Sequence, residues 1–317
     1  MKLLQELLNI RYPIIQGGMA NIATGAFAAA CSEAGALGVI GSGGMNAERL
    51  EEEIAVLRSK TDRPFGVNLM LMNPDTEEMA DLVAREHVPV VTTGAGNPGK
   101  YLDKWKEAGI RVIPVSASVA LARRLERAGA DMIIAEGTES GGHVGEMTTM
   151  TLLPQMVDSL RIPVIAAGGI ADGRQLAAAF VLGACGAQIG TSLLVSAECP
   201  IHENYKEALI KAKDNSTMVT GRSVDAPVRI IKNQMAREYQ KLEREGAERM
   251  ELEKLTLGSL RRAVFEGDTL TGSLMAGQVC GQLKEVRPAS EIIEKMCEDA
   301  EAICSRTAGF AAALAVN

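Results

Sequence analysis

Two glycine turns are the residues of this chain whose type and spacing point most directly to ligand binding. Gly168-Gly169 and Gly190-Thr191 each follow a short apolar segment and lead towards a segment with helical patterning. Backbone N–H groups left free at such turns, and the positive end of a helix dipole, both favour an anion. Glycine also permits close approach and positive φ. The pair therefore predicts a phosphate site, with two ordinary strand–helix turns as the alternative.

His143 is the candidate acid–base group of the chain. It is one of three histidines and lies in a glycine-rich run, GTESGGHVG at 137–145. Imidazole titrates near neutral pH, so a positioned histidine can donate or remove a proton. The alternative is a polar loop histidine held by hydrogen bonds. We expect His87 to be structural and His202 to be exposed.

Eight short apolar segments must position these residues, and most are separated by helical patterns such as that of residues 119–128. Continuous apolar strands between helices are typical of parallel strands buried on both faces. Eight such units in series favour an α/β fold of the (β/α)8 TIM-barrel type over an open sheet. The two glycine turns then follow strands seven and eight, where such barrels bind phosphate. The predicted strands are residues 13–16, 37–40, 65–69, 89–92, 112–115, 132–135, 163–167 and 187–189.

The chain is predicted to divide into two parts. Residues 1–199 form the barrel, and residues 200–317 form an additional C-terminal helical subdomain that covers the active site, with no convincing strand. The last helix is expected to begin near Pro288. An apolar stripe along that helix predicts that it packs back on the barrel; the stripe comprises Ile292, Met296, Ala300 and Ile303.

Composition narrows the functional classes. The 317 residues are 47% hydrophobic and 23% charged, with a formal net charge of −7, which argues against general nucleic-acid binding. No apolar run approaches the roughly 18 residues of a membrane span, and the first residues do not resemble a signal peptide. The six cysteines show no CxxC motif and no metal-ligand spacing. We expect a cytoplasmic, reduced protein with no metal and no membrane association.

The residues at the predicted strand ends suit a flat ligand with a phosphate tail. Glycines 17, 18, 41, 142 and 169 would let an aromatic ring system lie close to the backbone. The same strand ends offer no lysine for a Schiff base and no carboxylate cluster for a metal. Flavin mononucleotide (FMN) has the required shape, and a nucleotide or a phosphosugar would also fit.

Six motifs occur in order along nearly the whole chain. They are QGGMA at 16–20, GVNLML at 66–71, IAEGTESGGHVG at 134–145, IPVIAAGGIADG at 162–173, QIGTSLL at 188–194 and GSLMAGQVCG at 272–281. Together they resemble the flavin-dependent enoyl-[acyl-carrier-protein] reductases of the nitronate monooxygenase-like FMN barrel superfamily. The SGGH loop is specific for the superfamily, whereas QGGMA and GSLMAGQ favour the reductase branch.

The resemblance implies a role for particular residues. His143 would be catalytic, polarising and orienting the substrate. The implied cofactor-binding residues form three groups. The flavin ring would be approached by Gly18, Met19, Ala20, Asn68, Glu136 and Gly142, and its phosphate would be held by Gly168, Gly169, Gln188, Gly190 and Thr191. The cofactor would be covered by Met275, Gly277 and Gln278, which return from the C-terminal part.

The implied reaction is reduction of 2-enoyl thioesters by NADH or NADPH, in a ping-pong hydride transfer through FMN during fatty-acid elongation. The implied partners are an acyl carrier protein and, as a homodimer, a second copy of the chain. Because an acyl carrier protein is acidic, a basic docking face is expected. A solvated helical face is the alternative explanation of its candidate residues, which are Arg222, Arg229, Lys232, Arg237, Arg261 and Arg262.

Three rival functions belong to different classes. A nitronate monooxygenase on the same barrel would use His143 as a base and oxygen as the oxidant. An IMP dehydrogenase-like enzyme needs a cysteine nucleophile after strand six, and residues 136–150 contain none. A non-catalytic flavin- or phosphate-binding protein is the third, and a histidine at the cofactor face argues against it.

Overall fold

The architecture is an eight-stranded parallel barrel surrounded by helices, seen in a computed structural model that describes residues 2–314, with the backbone alone for 307–314. The barrel prediction is confirmed, and each of the eight predicted strands is present within two residues of its expected bounds. The strands are β1 (Ile14–Gln16), β2 (Gly38–Gly41), β3 (Phe65–Met70), β4 (Val90–Gly94), β5 (Arg111–Ser116), β6 (Ile133–Glu136), β8 (Val164–Ala167) and β9 (Gly186–Ile189).

The barrel closes between its first two strands. The hydrogen-bonded order runs β1-β9-β8-β6-β5-β4-β3-β2, so β1 and β2 stand at the two ends of the ladder. A parallel bridge joins Ile15 to Leu37. Its hydrogen bonds run from Gln16 N to Leu37 O and from Leu37 N to Ile14 O, both 2.9 Å. All C-terminal strand ends therefore meet at one mouth.

Helices cover the outside of the barrel, and side-chain caps start several of them, including those of Thr24, Asn46 and Ser118. The helices are α1 (Leu4–Leu8), α2 (Gly25–Glu33), α3 (Ala47–Arg58), α4 (Thr76–Arg85), α5 (Leu102–Glu107), α6 (Val119–Ala128), α7 (Thr149–Ser159), α8 (Gly173–Val181), α9 (Glu203–Ile210), α10 (Gln234–Glu245), α11 (Arg249–Thr256), α12 (Ser259–Arg261) and α13 (Ala289–Leu314). None of these helices, within the described residues, combines the length and the apolar run needed to cross a membrane.

The strands are buried on both faces, as their continuous apolar runs predict. Every residue of β2, β8 and β9 is buried. One face lines the barrel interior, where Ile15, Val39 and Ile165 share a cluster with Leu4 of α1. Leu4 N donates to Cys185 O at 2.8 Å, so α1 closes the end opposite the mouth. The candidate site is therefore expected at the open mouth of the barrel.

A second, small sheet corrects the prediction that residues 200–317 contain no strand. β10 (Thr217–Thr220) and β11 (Val228–Ile231) pair antiparallel, and β11 also pairs with β7 (Gly142–His143) in the loop after β6. Four-residue strands are too short to give a clear alternation, and Arg229 interrupts the apolar run of the second. The sheet depends on pairing with the barrel loop, a contact between distant parts of the sequence.

The last helix lies against the barrel. α13 follows Pro288, and its residues Ile293, Met296 and Ala300 are buried in one cluster with Leu176 of α8. Ile292 of the expected stripe is only partly buried, because the buried face is rotated by one residue towards Ile293.

Candidate active site

The predicted site residues gather at the mouth of the barrel. Ten of them are half-buried, which is the burial expected of the wall of an open concavity: Gly18, Met19, Ala20, Asn68, Glu136, Gly168, Gly169, Gly190, Thr191 and Met275. Gln188, Gly142 and Gly277 are buried, while His143 and Gln278 are exposed. Gln278 reaches the site through its backbone, because its N–H donates to Glu139 O at 2.9 Å.

Gly18 and Asn68 form one side of this mouth. A Cβ on Gly18 would overlap the Asn68 side chain, so only glycine lets the β1 loop lie this close to β3. Asn68 Nδ2 donates to Thr92 Oγ1 at 2.9 Å, which fixes the amide at the end of β3. Gly190 approaches the same loop, since a Cβ there would lie 3.6 Å from Met19 Sδ.

The two glycine turns offer free backbone donors. Gly168 and Gly169 have φ of +86° and +76°, a conformation that favours glycine. Across residues 2–314, the N–H groups of Gly169, Gly190 and Thr191 donate to no protein acceptor. Ser192 Oγ donates to Ile170 O at 3.3 Å and joins the turns. An anion bound between the two glycine turns would accept hydrogen bonds from both of them.

The N-terminus of α8 contributes less to anion binding than its position suggests. Asp172 caps this helix, because its Oδ1 accepts from Arg174 N at 2.8 Å and its own N–H donates to Gln175 Oε1 at 3.1 Å. The helix terminus is thus occupied by the chain's own carboxylate. The free donors belong to the turns themselves.

A glutamate missed by sequence reasoning organises the loop after β6. The carboxylate of Glu139 accepts from Thr149 N at 3.0 and 2.9 Å, at the start of α7, where negative charge is favoured. Thr149 Oγ1 donates in turn to Gly168 O at 2.8 Å. The loop of residues 137–148 is therefore tied to the first glycine turn.

Arg229 supports the same loop from the small sheet. It is 7% exposed, and its Nε donates to Thr138 O at 3.0 Å and its Nη1 to Thr217 Oγ1 at 3.2 Å. In register, Arg229 lies opposite Gly142 and Val228 lies opposite His143. The expectation that Arg229 lies on a docking face is therefore wrong, because burial removes it from the surface.

Residues 273–278, here called the strap, return from the C-terminal part to the mouth. Gly277 N donates to Thr191 Oγ1 at 2.9 Å, and a Cβ on Gly277 would lie 2.6 Å from Glu139 O. The buried Tyr205 hydroxyl donates to Met275 O at 2.8 Å. The strap thereby contacts both the second glycine turn and the loop after β6.

Two titratable groups face this mouth with altered pKa values. Burial raises the pKa of Glu136, at the end of β6, to about 7. Partial desolvation lowers the pKa of His143, which favours the neutral imidazole. A neutral ring can donate one hydrogen bond or accept a proton.

Several buried hydroxyl groups near the strand ends have no hydrogen-bond partner within the described chain. They belong to Ser42 after β2, Thr93 in β4, and Thr138 and Ser140 in the loop after β6. A buried polar group without a partner is costly, so a ligand at the mouth would relieve that cost. In the region that the structure describes, no group of three or more His, Cys, Asp or Glu is arranged to hold a metal ion.

Comparisons with known proteins match nearly the full length of this chain. A family model described as nitronate monooxygenase matches residues 1–87 and 80–299. A structure of FabK from Thermotoga maritima is 48% identical with a TM-score of 0.95, covering 98% of this chain and 99% of that one. A probable nitronate monooxygenase from Staphylococcus saprophyticus is 35% identical, covering 95% of this chain and 98% of its own.

The description of a third similar protein names an activity on nitro compounds. A structure of nitroalkane oxidase from Streptomyces ansochromogenes is 29% identical with a TM-score of 0.84, covering 96% of this chain and 99% of that one. The family match extends over far more than half of the chain. The chain therefore belongs to the nitronate monooxygenase family of flavin-dependent oxidoreductases.

Proposed function

We propose that this protein is an FMN-dependent enoyl-[acyl-carrier-protein] reductase that reduces trans-2-enoyl thioesters with NADH or NADPH. The observation that carries the proposal is the likeness to FabK, an enoyl-ACP reductase II. This chain and FabK are 48% identical over nearly the full length of both chains. Relatives described by nitronate or nitroalkane chemistry reach 35% and 29% identity.

The residues at the mouth fit FMN. Because Gly18 has no Cβ, the β1 loop lies directly against the Asn68 side chain, and the two together would form the wall beside a flat ring. The free N–H groups of Gly169, Gly190 and Thr191 suit the phosphate. The unpartnered hydroxyl of Ser140 lies in the loop that contacts the first glycine turn and offers another donor. These residues, with those of the strap, would hold the cofactor.

Bound FMN would supply the hydride relay between nicotinamide and the enoyl β-carbon. The residues of the chain would stabilise the negative charge that develops on the thioester oxygen. His143 donates a hydrogen bond to the thioester oxygen, which gains negative charge as the β-carbon is reduced. A neutral imidazole suits this role because it retains one N–H donor. Glu136 is protonated in part near neutral pH and provides a second hydrogen-bond donor at the mouth.

The docking partner would be an acyl carrier protein. Arg222 and Arg237 are exposed, and Arg222 Nη1 lies 3.9 Å from Glu146 of the loop after β6. A positive surface beside the entrance attracts an acidic carrier. The homodimer and the cytoplasmic location stay predictions from the sequence.

Nitronate oxidation is the second candidate function. Two observations favour it: the description of the family model, and a His143 whose lowered pKa keeps it ready to accept a proton. The same residue would then remove a proton from the nitro compound instead of polarising a thioester.

The test is oxidation of reduced nicotinamide under anaerobic conditions. A reductase oxidises NADH or NADPH in proportion to added crotonyl thioester, with butyryl thioester as the product. Absence of crotonyl-dependent turnover in the yellow holoenzyme, combined with oxygen uptake driven by a nitronate, would reject the proposal in favour of the second candidate.

A further inference from the structure

A groove of about 640 Å3 opens at the rim of the barrel, between the loops that follow β2 and β3. Its apolar wall is formed by Met45, Met70, Met72 and Pro74, and we call it the methionine groove. Its volume falls in the range of small-molecule sites, about 300–1,000 Å3. Met72 is 71% exposed, so most of its side chain is accessible to a ligand.

The groove continues from the proposed cofactor face. Asn68 and Met70 are two residues apart on β3, so their side chains lie on the same face of the strand, about 7 Å apart along it. Both are half-buried, while Leu69 between them is fully buried. A Cβ on Gly43 would lie 2.7 Å from Ala20 Cβ and 3.8 Å from Met70 Sδ. The predicted flavin-side residues therefore border the methionine groove directly.

Hydrogen bonds between its two loops hold the groove in shape. Asn73 Nδ2 donates to Met45 O at 2.8 Å, joining the loop after β3 to the loop after β2. Asn73 Oδ1 also accepts from Asp75 N at 2.9 Å. Thr76 Oγ1 donates to Met70 O at 3.3 Å. The groove is thus part of the folded loops rather than a gap between loose segments.

Its chemistry suits a hydrocarbon better than a phosphate. Methionine side chains are flexible and apolar, so they adapt to chains of different length. Arg49 lies at the rim, but its guanidinium already donates to Glu52 at 2.8 Å and to Glu53. Asp75 adds a carboxylate to the lining. A dinucleotide, with its pyrophosphate, would meet a paired cation and an unfavourable negative charge here.

We propose that the methionine groove binds the acyl chain of the substrate and sets the preference for chain length. This inference rests on the proposed enoyl-thioester function. The reacting double bond would lie beside Asn68, and the alkyl tail would extend past Met70 towards Met72.

The test compares Met72→Trp, which fills the groove, with Met250→Trp as a matched control. Met250 lies on α11 and is 68% exposed, close to the value of Met72. The assay measures kcat/KM of the holoenzyme for crotonyl, octenoyl and dodecenoyl thioesters. We expect Met72→Trp to lower the dodecenoyl value about 10-fold relative to the crotonyl value, the effect of losing burial of about two methylene groups. Met250→Trp should leave the ratio unchanged.

A binding measurement separates this inference from the proposed function. Calorimetric titration with saturated dodecanoyl-CoA and butyryl-CoA needs no turnover, and Met72→Trp should weaken only the longer ligand. Equal losses for all chain lengths, or a raised KM for reduced nicotinamide alone, would overturn the groove assignment while leaving the reductase proposal intact. Chain-length-dependent binding without enoyl reduction would support the groove and reject the reductase.

Discussion

The guanidinium of Arg229 donates a hydrogen bond from Nε to the carbonyl oxygen of Thr138 at 3.0 Å, across 91 residues of chain. This bond joins the C-terminal part of the protein to the loop that carries His143. The neighbouring ladder places Val228 opposite His143. The position of the candidate catalytic residue thus depends on two segments distant in sequence, and Arg229 is a positioning residue in this arrangement.

Replacing Arg229 should therefore affect both stability and turnover. We expect Arg229→Met to lower the free energy of unfolding by about 2–3 kcal/mol, since it removes hydrogen bonds to a charged group. Turnover should fall about 10-fold, with a smaller change in the KM for reduced nicotinamide. Urea unfolding and steady-state kinetics measure the two effects. The exposed Arg244→Met is the control, and equal effects of both variants would contradict the positioning role.

His143→Ala tests the catalytic role itself. The variant should retain FMN and its visible spectrum but lose about 100-fold or more in enoyl-thioester turnover, the scale of lost general acid–base help. His87→Asn is a suitable control because His87 is exposed and has a φ of +46°, which asparagine tolerates. Near-normal turnover of His143→Ala would show that the histidine is merely a loop residue.

Gly18→Ala tests the cofactor cradle. The added Cβ would overlap Asn68, so we expect affinity for FMN to fall by about 10-fold or more, since overpacking commonly costs about 1–3 kcal/mol. Fluorescence titration of the flavin-free protein with FMN gives the dissociation constant. Gly94→Ala, also at a strand end, is the matched control because its Cβ would meet nothing within 4 Å. Unchanged affinity for Gly18→Ala would place the ring elsewhere.

The raised pKa of Glu136 predicts a pH dependence of stability in the flavin-free protein. Folding moves this pKa from 4.5 to about 7, so the folded state favours the neutral carboxyl. Its contribution to stability is therefore complete below about pH 4.5 and is lost as pH rises towards about pH 7. Glu136→Gln should reduce the loss of stability between about pH 5 and pH 8. The exposed Glu78→Gln should leave that loss unchanged; the opposite ranking would contradict the desolvated site.

The sequence predicts the barrel well because each strand is an apolar run followed by a polar or glycine residue. Gly168-Gly169 and Gly190-Thr191 could be assigned to the mouth because their order along the chain fixes their place in a barrel. Arg229 could not be assigned to the site in this way, because its neighbours are set by the pairing of β11 with β7. A buried arginine and a solvated one look alike in the sequence.

The same reason limits what could be inferred about the methionine groove. Met70 ends β3, while Met45 and Met72 lie in the loops after β2 and β3, and a methionine in a loop carries no pattern of its own. The parallel pairing of β2 with β3 brings them together. The role of Glu139 could not be predicted for the same reason. Its partner Thr149 is the first residue of α7, and the contact between them is seen only in the folded chain.

The reaction is tested most directly by one side-by-side measurement on the purified flavoprotein. Oxidation of NADH and of NADPH is followed anaerobically with crotonyl thioester, and oxygen uptake is followed with an alkyl nitronate. We expect crotonyl-dependent oxidation with a kcat/KM at least about 100-fold above that for the nitronate, a free-energy difference of about 2.7 kcal/mol. The reverse ratio would contradict the reductase assignment and identify a nitronate oxidase on the same barrel.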